Sequence, residues 1–135
     1  METLVDKNPR KNNGRTPLHI SAQNGHIKVY TLIIETLENK NPADNDGWTP
    51  LHLAANNGHT DICSLVIETM VDKNPRNNNG VTPLHSAAHS GHLEVCKLIC
   101  KNIINKNPID NFGQTPISLA NVGGNLDIVS FLENM

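Results

Sequence analysis

The chain is expected to be an all-α repeat solenoid, a stack of helix-turn-helix units joined by turn or hairpin fingers. Three observations lead there. Gly14-Arg15-Thr16-Pro17-Leu18-His19 returns after 33 residues as Gly47-Trp48-Thr49-Pro50-Leu51-His52, and again as Gly80-Val81-Thr82-Pro83-Leu84-His85, with a weaker fourth copy at Gly113-Gln114-Thr115-Pro116-Ile117-Ser118. A second anchor, a Lys-Asn-Pro triplet, keeps the same step and ends at Pro9, Pro42, Pro75 and Pro108. No insertion or deletion breaks the register. A fixed period of this length means stacked supersecondary units in which each unit contacts only its neighbours.

The second copy shows why each element forms. Asp44-Asn45-Asp46-Gly47 is turn chemistry, because Asx side chains bond to nearby backbone and Gly accepts positive φ. Thr49-Pro50 opens the first helix, with Thr as N-cap and Pro at the first helical position, where its missing N–H would be unpaired anyway. His52 then falls where a side chain can reach back to the cap. Leu51, Leu53, Ala54 and Ala55 follow, and Gly58 stops the helix. The small pair Ala54-Ala55, repeated as Ala87-Ala88 and Ser21-Ala22, lets two helices approach closely. A second helix starts near Thr60-Asp61, and Ile62, Cys63, Leu65, Val66 and Ile67 give it a wide apolar face. Asn74-Pro75 ends the unit, since the residue before Pro avoids the helical region.

Composition bounds the function. The 135 residues are the size of one domain, and with 37% hydrophobic and only 3% aromatic residues the core must be aliphatic. A net charge of −2 gives no general attraction for nucleic acid or an acidic membrane. No apolar run approaches the ~20 residues of a membrane span, and the first residues lack a signal-peptide pattern. An intracellular, cytoplasmic protein is expected. Cys63 and Cys96 hold the same place in successive repeats, about 10 Å apart by helix packing, which is too far for a bridge that needs Cα atoms within about 7 Å. Cys96 and Cys100 are one helical turn apart, so all three read as reduced thiols.

The pattern Asp44-x-x-Gly47-x-Thr49-Pro50-Leu51-His52-Leu53-Ala54-Ala55-x-x-Gly58-His59 closely resembles the ankyrin repeat. The resemblance implies an L-shaped stack with a concave groove lined by fingers and first helices, and a family that mostly binds other proteins without catalysis or cofactor. Ankyrin repeats usually place Gly after the second helix; here that position holds Leu37, Met70 and Ile103. The second helix is therefore expected to run up to a turn longer, with Pro shaping a finger of altered geometry. Some members are hydroxylated on a finger Asn, but the Lys before and Pro after Asn41, Asn74 and Asn107 depart from the favoured context, so that property is not carried over.

The expected organisation is a single domain over 1–135: a repeat tail at 1–10, repeats at 11–43, 44–76 and 77–109, and a cap-like fourth repeat at 110–135. Residues 2–10 match residues 68–76 almost one for one, so the chain reads as starting inside a repeat of a longer array, with an exposed repeat face and modest stability. Ser118, Asn121 and Asn125 replace a His, an Ala and a His in the fourth copy, as suits a terminal repeat.

Reactive constellations are sparse. Six of the seven histidines follow the repeat, and His89 is the extra one, giving His85-x-x-x-His89 at helical spacing. No carboxylate or Cys completes a close cluster there, so no metal is assigned. No nucleophile elbow, P-loop or dinucleotide fingerprint is present, and neither a catalytic residue nor a cofactor is expected.

What remains is the set of positions where the repeats disagree, since fold-determining positions should look alike. The finger candidates are Arg15, Asn45, Asp46, Trp48, Asn78, Asn79, Val81, Phe112 and Gln114. On the first helices they are Gln23, Asn24, Asn56, Asn57, His89 and Ser90. Trp48 stands out as the sole Trp, a residue enriched at interface hot spots. The expected function is a monomeric, non-catalytic module that binds a partner protein on the concave face, with no nucleic-acid or membrane partner. A structural spacer of a longer array and an engineered scaffold without a natural ligand are the alternatives.

Overall fold

The computed structural model describes residues 10–135, and the repeat tail read at 1–10 lies outside the described residues except for Arg10. Four helical pairs follow in order: α1 (Pro17–Asn24) with α2 (Ile27–Ile34), α3 (Pro50–Asn56) with α4 (Thr60–Thr69), α5 (Pro83–Ser90) with α6 (Leu93–Cys100), and α7 (Pro116–Val122) with α8 (Leu126–Glu133). First helices pack on first helices, second helices on second, and each pair packs within its own unit. The described chain is thus an all-α solenoid with no strand. Its core is a continuous run of small aliphatic side chains, including Leu18, Leu51, Ile62, Val66, Leu84, Ile99 and Ile128, interleaved with Ala54, Ala55, Ala87 and Ala88.

All four first helices start alike, with a capping box formed by Thr and the residue three places on, and Pro at the first helical position. In three of them that residue is a fully buried His. The Thr49 backbone N–H donates to His52 Nδ1 at 3.1 Å, which makes Nδ1 an acceptor and places the ring proton on Nε2. His52 Nε2 then donates to the Val81 carbonyl of the next finger at 2.8 Å. His19 does the same to Trp48 O at 2.8 Å and His85 to Gln114 O at 2.9 Å. One side chain therefore closes its own helix and ties it to the following repeat. In the fourth copy Ser118 keeps only the local part, accepting from the Thr115 N–H and donating to the Thr115 carbonyl.

Second-helix starts are tied backwards. His59 Nε2 donates to Gln23 O at 2.9 Å and His92 Nε2 to Asn56 O at 3.0 Å. Asn125 replaces the histidine in the fourth copy and reaches the equivalent His89 carbonyl at 3.1 Å, as well as Ala88 O at 2.9 Å. The polar replacement is thus a substitute that keeps the inter-repeat bond.

The expected extra turn on the second helices is not found. They stop at Ile34, Thr69 and Cys100, short of Leu37, Met70 and Ile103. Those three side chains instead fold back, half-buried, on the core, which requires the chain to leave the helix. Lysine of the repeated triplet then satisfies a carbonyl at or just beyond the helix end. Lys40 Nζ donates to Ile34 O at 2.9 Å and Lys73 Nζ to Ile67 O in the last turns of α2 and α4, whereas Lys106 Nζ donates to Ile103 O at 3.2 Å, past the end of α6. The next residue caps the following helix, because Asn41 Oδ1 accepts from the Leu51 N–H and Asn74 Oδ1 from the Leu84 N–H, each at 3.2 Å. Lys-Asn-Pro is therefore a joint between consecutive repeats. Replacing the buried Asn41 by Ala should cost about 1 kcal/mol, as a lost N-cap does. Asn107→Ala, at an exposed position without such a bond, should be near neutral in the same denaturant titration.

Candidate functional site

Each finger closes as a short turn. The bond runs from Lys11 N to Arg15 O, Asp44 N to Trp48 O, Asn77 N to Val81 O and Asp110 N to Gln114 O, at 2.7 to 2.9 Å. The four fingers share this closure, as they share the proline triplet that precedes each of them. Neighbouring tips are laced together: Asn45 Nδ2 donates to Asn12 O, Asn78 Nδ2 to Asn45 O and Asn111 Nδ2 to Asn78 O, at 3.0 to 3.1 Å. Fingers joined in this way hold their outward side chains at fixed spacing.

Five candidate residues come together. Trp48, Asn56, Val81, His89 and Gln114 line one cavity of about 300 Å³, along with His85, Ser86, Asp110 and Leu119. Its walls are the second, third and fourth fingers on one side and α3, α5 and α7 on the other. The half-buried Trp48 ring stands edge-on to His52, with centroids 5.3 Å apart and planes at 79°, so the capping histidine props it. Ser90 Oγ donates to Asn56 Oδ1 at 2.8 Å and joins α5 to α3 along the same surface.

Other candidates are placed apart from this cavity. Arg15 pairs with Asp44 Oδ2 at 3.2 Å and with Gln23 Oε1 at 3.2 Å, forming a closed trio at the first junction. Asn45 and Asn78 spend their amides on the tip ladder, and Asn57 Nδ2 bonds back to Leu53 O at 2.9 Å. Asn24, Asp46, Asn79 and Phe112 are exposed, Phe112 strongly so. Repeat variation missed Asp110, since an acidic residue in a finger turn reads as turn chemistry. Its signal lies one repeat back, where the residue facing it changes from Arg15 to Val81.

The reactive side chains are held in unreactive states. Cys63, Cys96 and Cys100 are free and buried, and burial pushes their thiols up to about 12, 12 and 11. Such thiols carry almost no thiolate near neutrality and act as small core hydrophobes. His85 has both ring nitrogens engaged, with Thr82 and with Gln114 O, so it cannot join His89 on a metal without breaking either its cap or its tie to the next finger. Among the described residues no group of three or more His, Cys, Asp or Glu side chains is arranged to hold a metal ion. No described helix is long and apolar enough to cross a membrane.

A comparison with curated proteins gives no significant match. The family model for ankyrin repeats, by contrast, matches three times in overlapping register, at residues 1–77, 28–110 and 66–134. That family is generally non-enzymatic and generally serves protein–protein interaction. With matches running from end to end, and helical pairs joined by laced fingers as the fold, this chain belongs to the ankyrin-repeat family.

Proposed function

We propose that the domain is a non-catalytic, monomeric interaction module that holds a segment of a partner protein in the groove between its fingers and first helices. The observation that carries this reading is the convergence of Trp48, Asn56, Val81, His89 and Gln114 on one cavity, although they come from three fingers and two helices. These are positions that the repeat leaves free to vary. The laced tips and the histidine ties mean that little ordering accompanies binding, so less of the contact energy is lost to it. Affinity capture from a lysate of the source cells tests the idea. A partner held by the wild-type domain should be lost with Trp48→Ala/His89→Ala at unchanged helicity, and equal retention by that variant would overturn the groove assignment.

A second reading, a structural unit within a longer array, is favoured by a different surface. Val29 is 47% exposed, whereas its equivalents Ile62, Val95 and Ile128 are 0–1% exposed because a preceding repeat covers them. Leu32 is likewise open at 69%, and Ile20 and Ile33 line a cavity beside Val29. Fusing one further helical pair ahead of α1 should raise Tm if this face is a stacking surface; an unchanged Tm would count against it.

A further inference from the structure

The second, third and fourth fingers share a buried residue at their base: Asp44, Asn77 and Asp110, only 8%, 6% and 5% exposed. In each, one side-chain oxygen closes its own finger. Asp44 Oδ1 accepts from the Asp46 and Trp48 amides, Asn77 Oδ1 from Asn79 and Val81, and Asp110 Oδ1 from Phe112 and Gln114, all at 2.8 to 2.9 Å. The second terminal atom is left for the preceding repeat. At the first junction it is used, because Arg15 Nε donates to Asp44 Oδ2 while Arg15 Nη1 donates to Gln23 Oε1, both at 3.2 Å.

Two repeats on, the positions of Arg15, Gln23 and Asp44 are held by Val81, His89 and Asp110. The Val81 side chain has nothing to donate, and Asp110 Oδ2 is a buried carboxylate oxygen with no hydrogen-bond partner. The ion pairs among the described residues are Arg15–Asp44 and Lys97–Glu94, so no described cation is paired with Asp110. Arg76 donates instead to the Ile109 carbonyl at 2.8 Å. Asn77, at the intervening junction, also keeps an unpartnered Nδ2, but that group is uncharged. A buried carboxylate oxygen without a partner is costly, and an incoming cation that donates to it would relieve that cost. Asp110, Val81 and His89 all line the cavity of the proposed groove.

We propose that this cavity is a subsite for one arginine side chain of a bound protein segment, which takes the place that Arg15 fills at the first junction. The inference rests on the reading of the groove as a protein-binding surface and names the chemistry that surface selects. The domain supplies its own template: a guanidinium lying between a finger-base carboxylate and a first-helix acceptor. His89 places an imidazole ring nitrogen where Gln23 offers Oε1. Trp48, at the cavity wall, presents an aromatic surface for the cation. Arginine suits the site better than lysine because its planar fork donates to two acceptors at once.

The test uses N-acetylarginine N-methylamide as probe, its citrulline counterpart as the uncharged match, and the indole resonance of Trp48, the sole Trp, as readout. Saturable shifts are expected with the arginine probe and not with citrulline. Asp110→Asn should weaken the response roughly tenfold or more, and it should fold normally because Asn77 already closes a finger in the same way. Val81→Arg should abolish probe binding by filling the site from within, and should raise Tm. An equal response to citrulline, no response at all, or indifference to Asp110→Asn would overturn the arginine subsite. Peptides selected from a random library on the wild-type domain separate the two readings. Binders lost with Trp48→Ala but indifferent to Asp110→Asn would leave the groove standing and remove the arginine subsite, whereas no binder sensitive to Trp48→Ala would remove both.

Discussion

Replacing His52 by alanine should destabilise the domain by about 4 kcal/mol, far more than Ser118→Ala at the equivalent place in the fourth repeat, which should cost about 1 kcal/mol. His52 is fully buried, accepts from Thr49 through Nδ1 and donates to Val81 O through Nε2. Its removal leaves a cavity, an unpaired N–H and an unpaired carbonyl, in two repeats at once. Ser118 bonds only within its own turn. The same geometry fixes a pH dependence. Burial, opposed by the bond to Val81 O, lowers the His52 pKa from its ordinary 6.5 to about 4, and burial lowers those of His19 and His85 as well. Between those values the unfolded chain binds protons that the folded one refuses, so stability is complete above about pH 6.5 and is lost as the pH falls toward 4. His52 alone accounts for about 3 kcal/mol across that window. Urea titrations at stepped pH check both claims. The His52→Ala variant should show a shallower slope between pH 6.5 and 4, and a slope identical to that of wild type would show that the ring is not held neutral.

Much of this was legible in the sequence because it is local. Thr49, Pro50 and His52 lie within one turn, so the capping box could be read from spacing, and the register supplied the stack. The second-helix ends were misread because their termination is not local. Lys40 and Leu37 act back on α2 and the core, while Asn41 acts forward on α3, ten residues along the chain. A missing Gly suggests a longer helix, but the residue in its place leaves the helix to bury itself. The site divided in the same way. Variation among repeats points to Trp48, Val81 and His89, which line one cavity, but it also gathers Asn45 and Asn78, whose amides lace the finger tips. It passed over Asp110, whose meaning depends on a residue 29 places earlier. A column-by-column comparison of repeats cannot see a pair that crosses columns; shifting one column against the next can.

Gly47→Ala and Gly113→Ala should differ sharply, although the two glycines share a backbone conformation, with φ of +83° and +77°. Each substitution puts an L-residue in the left-handed region, which costs roughly 1–2 kcal/mol. Around Gly113 nothing lies within 4 Å of an added Cβ, so the cost should stop there. A Cβ on Gly47 would come within 2.7 Å of the Asn78 backbone nitrogen and 2.9 Å of the Asn77 Cα, positions that only a shift of the third finger can relieve. That shift would pull on the bonds from Asn78 N to Asp46 O and from Asn78 Nδ2 to Asn45 O, both 3.0 Å. Gly47→Ala should therefore cost about 3 kcal/mol or more, and the excess over Gly113→Ala measures how firmly neighbouring fingers bear on each other. In a stack held by nearest-neighbour interfaces, such a loss falls on one junction rather than on the whole. The Gly47 variant should accordingly unfold over a broader range, with the first two repeats and the last two coming apart in separate steps. Equal costs for the two variants, or a transition as sharp as that of wild type, would mean that the helix faces alone transmit cooperativity and that the fingers are passengers.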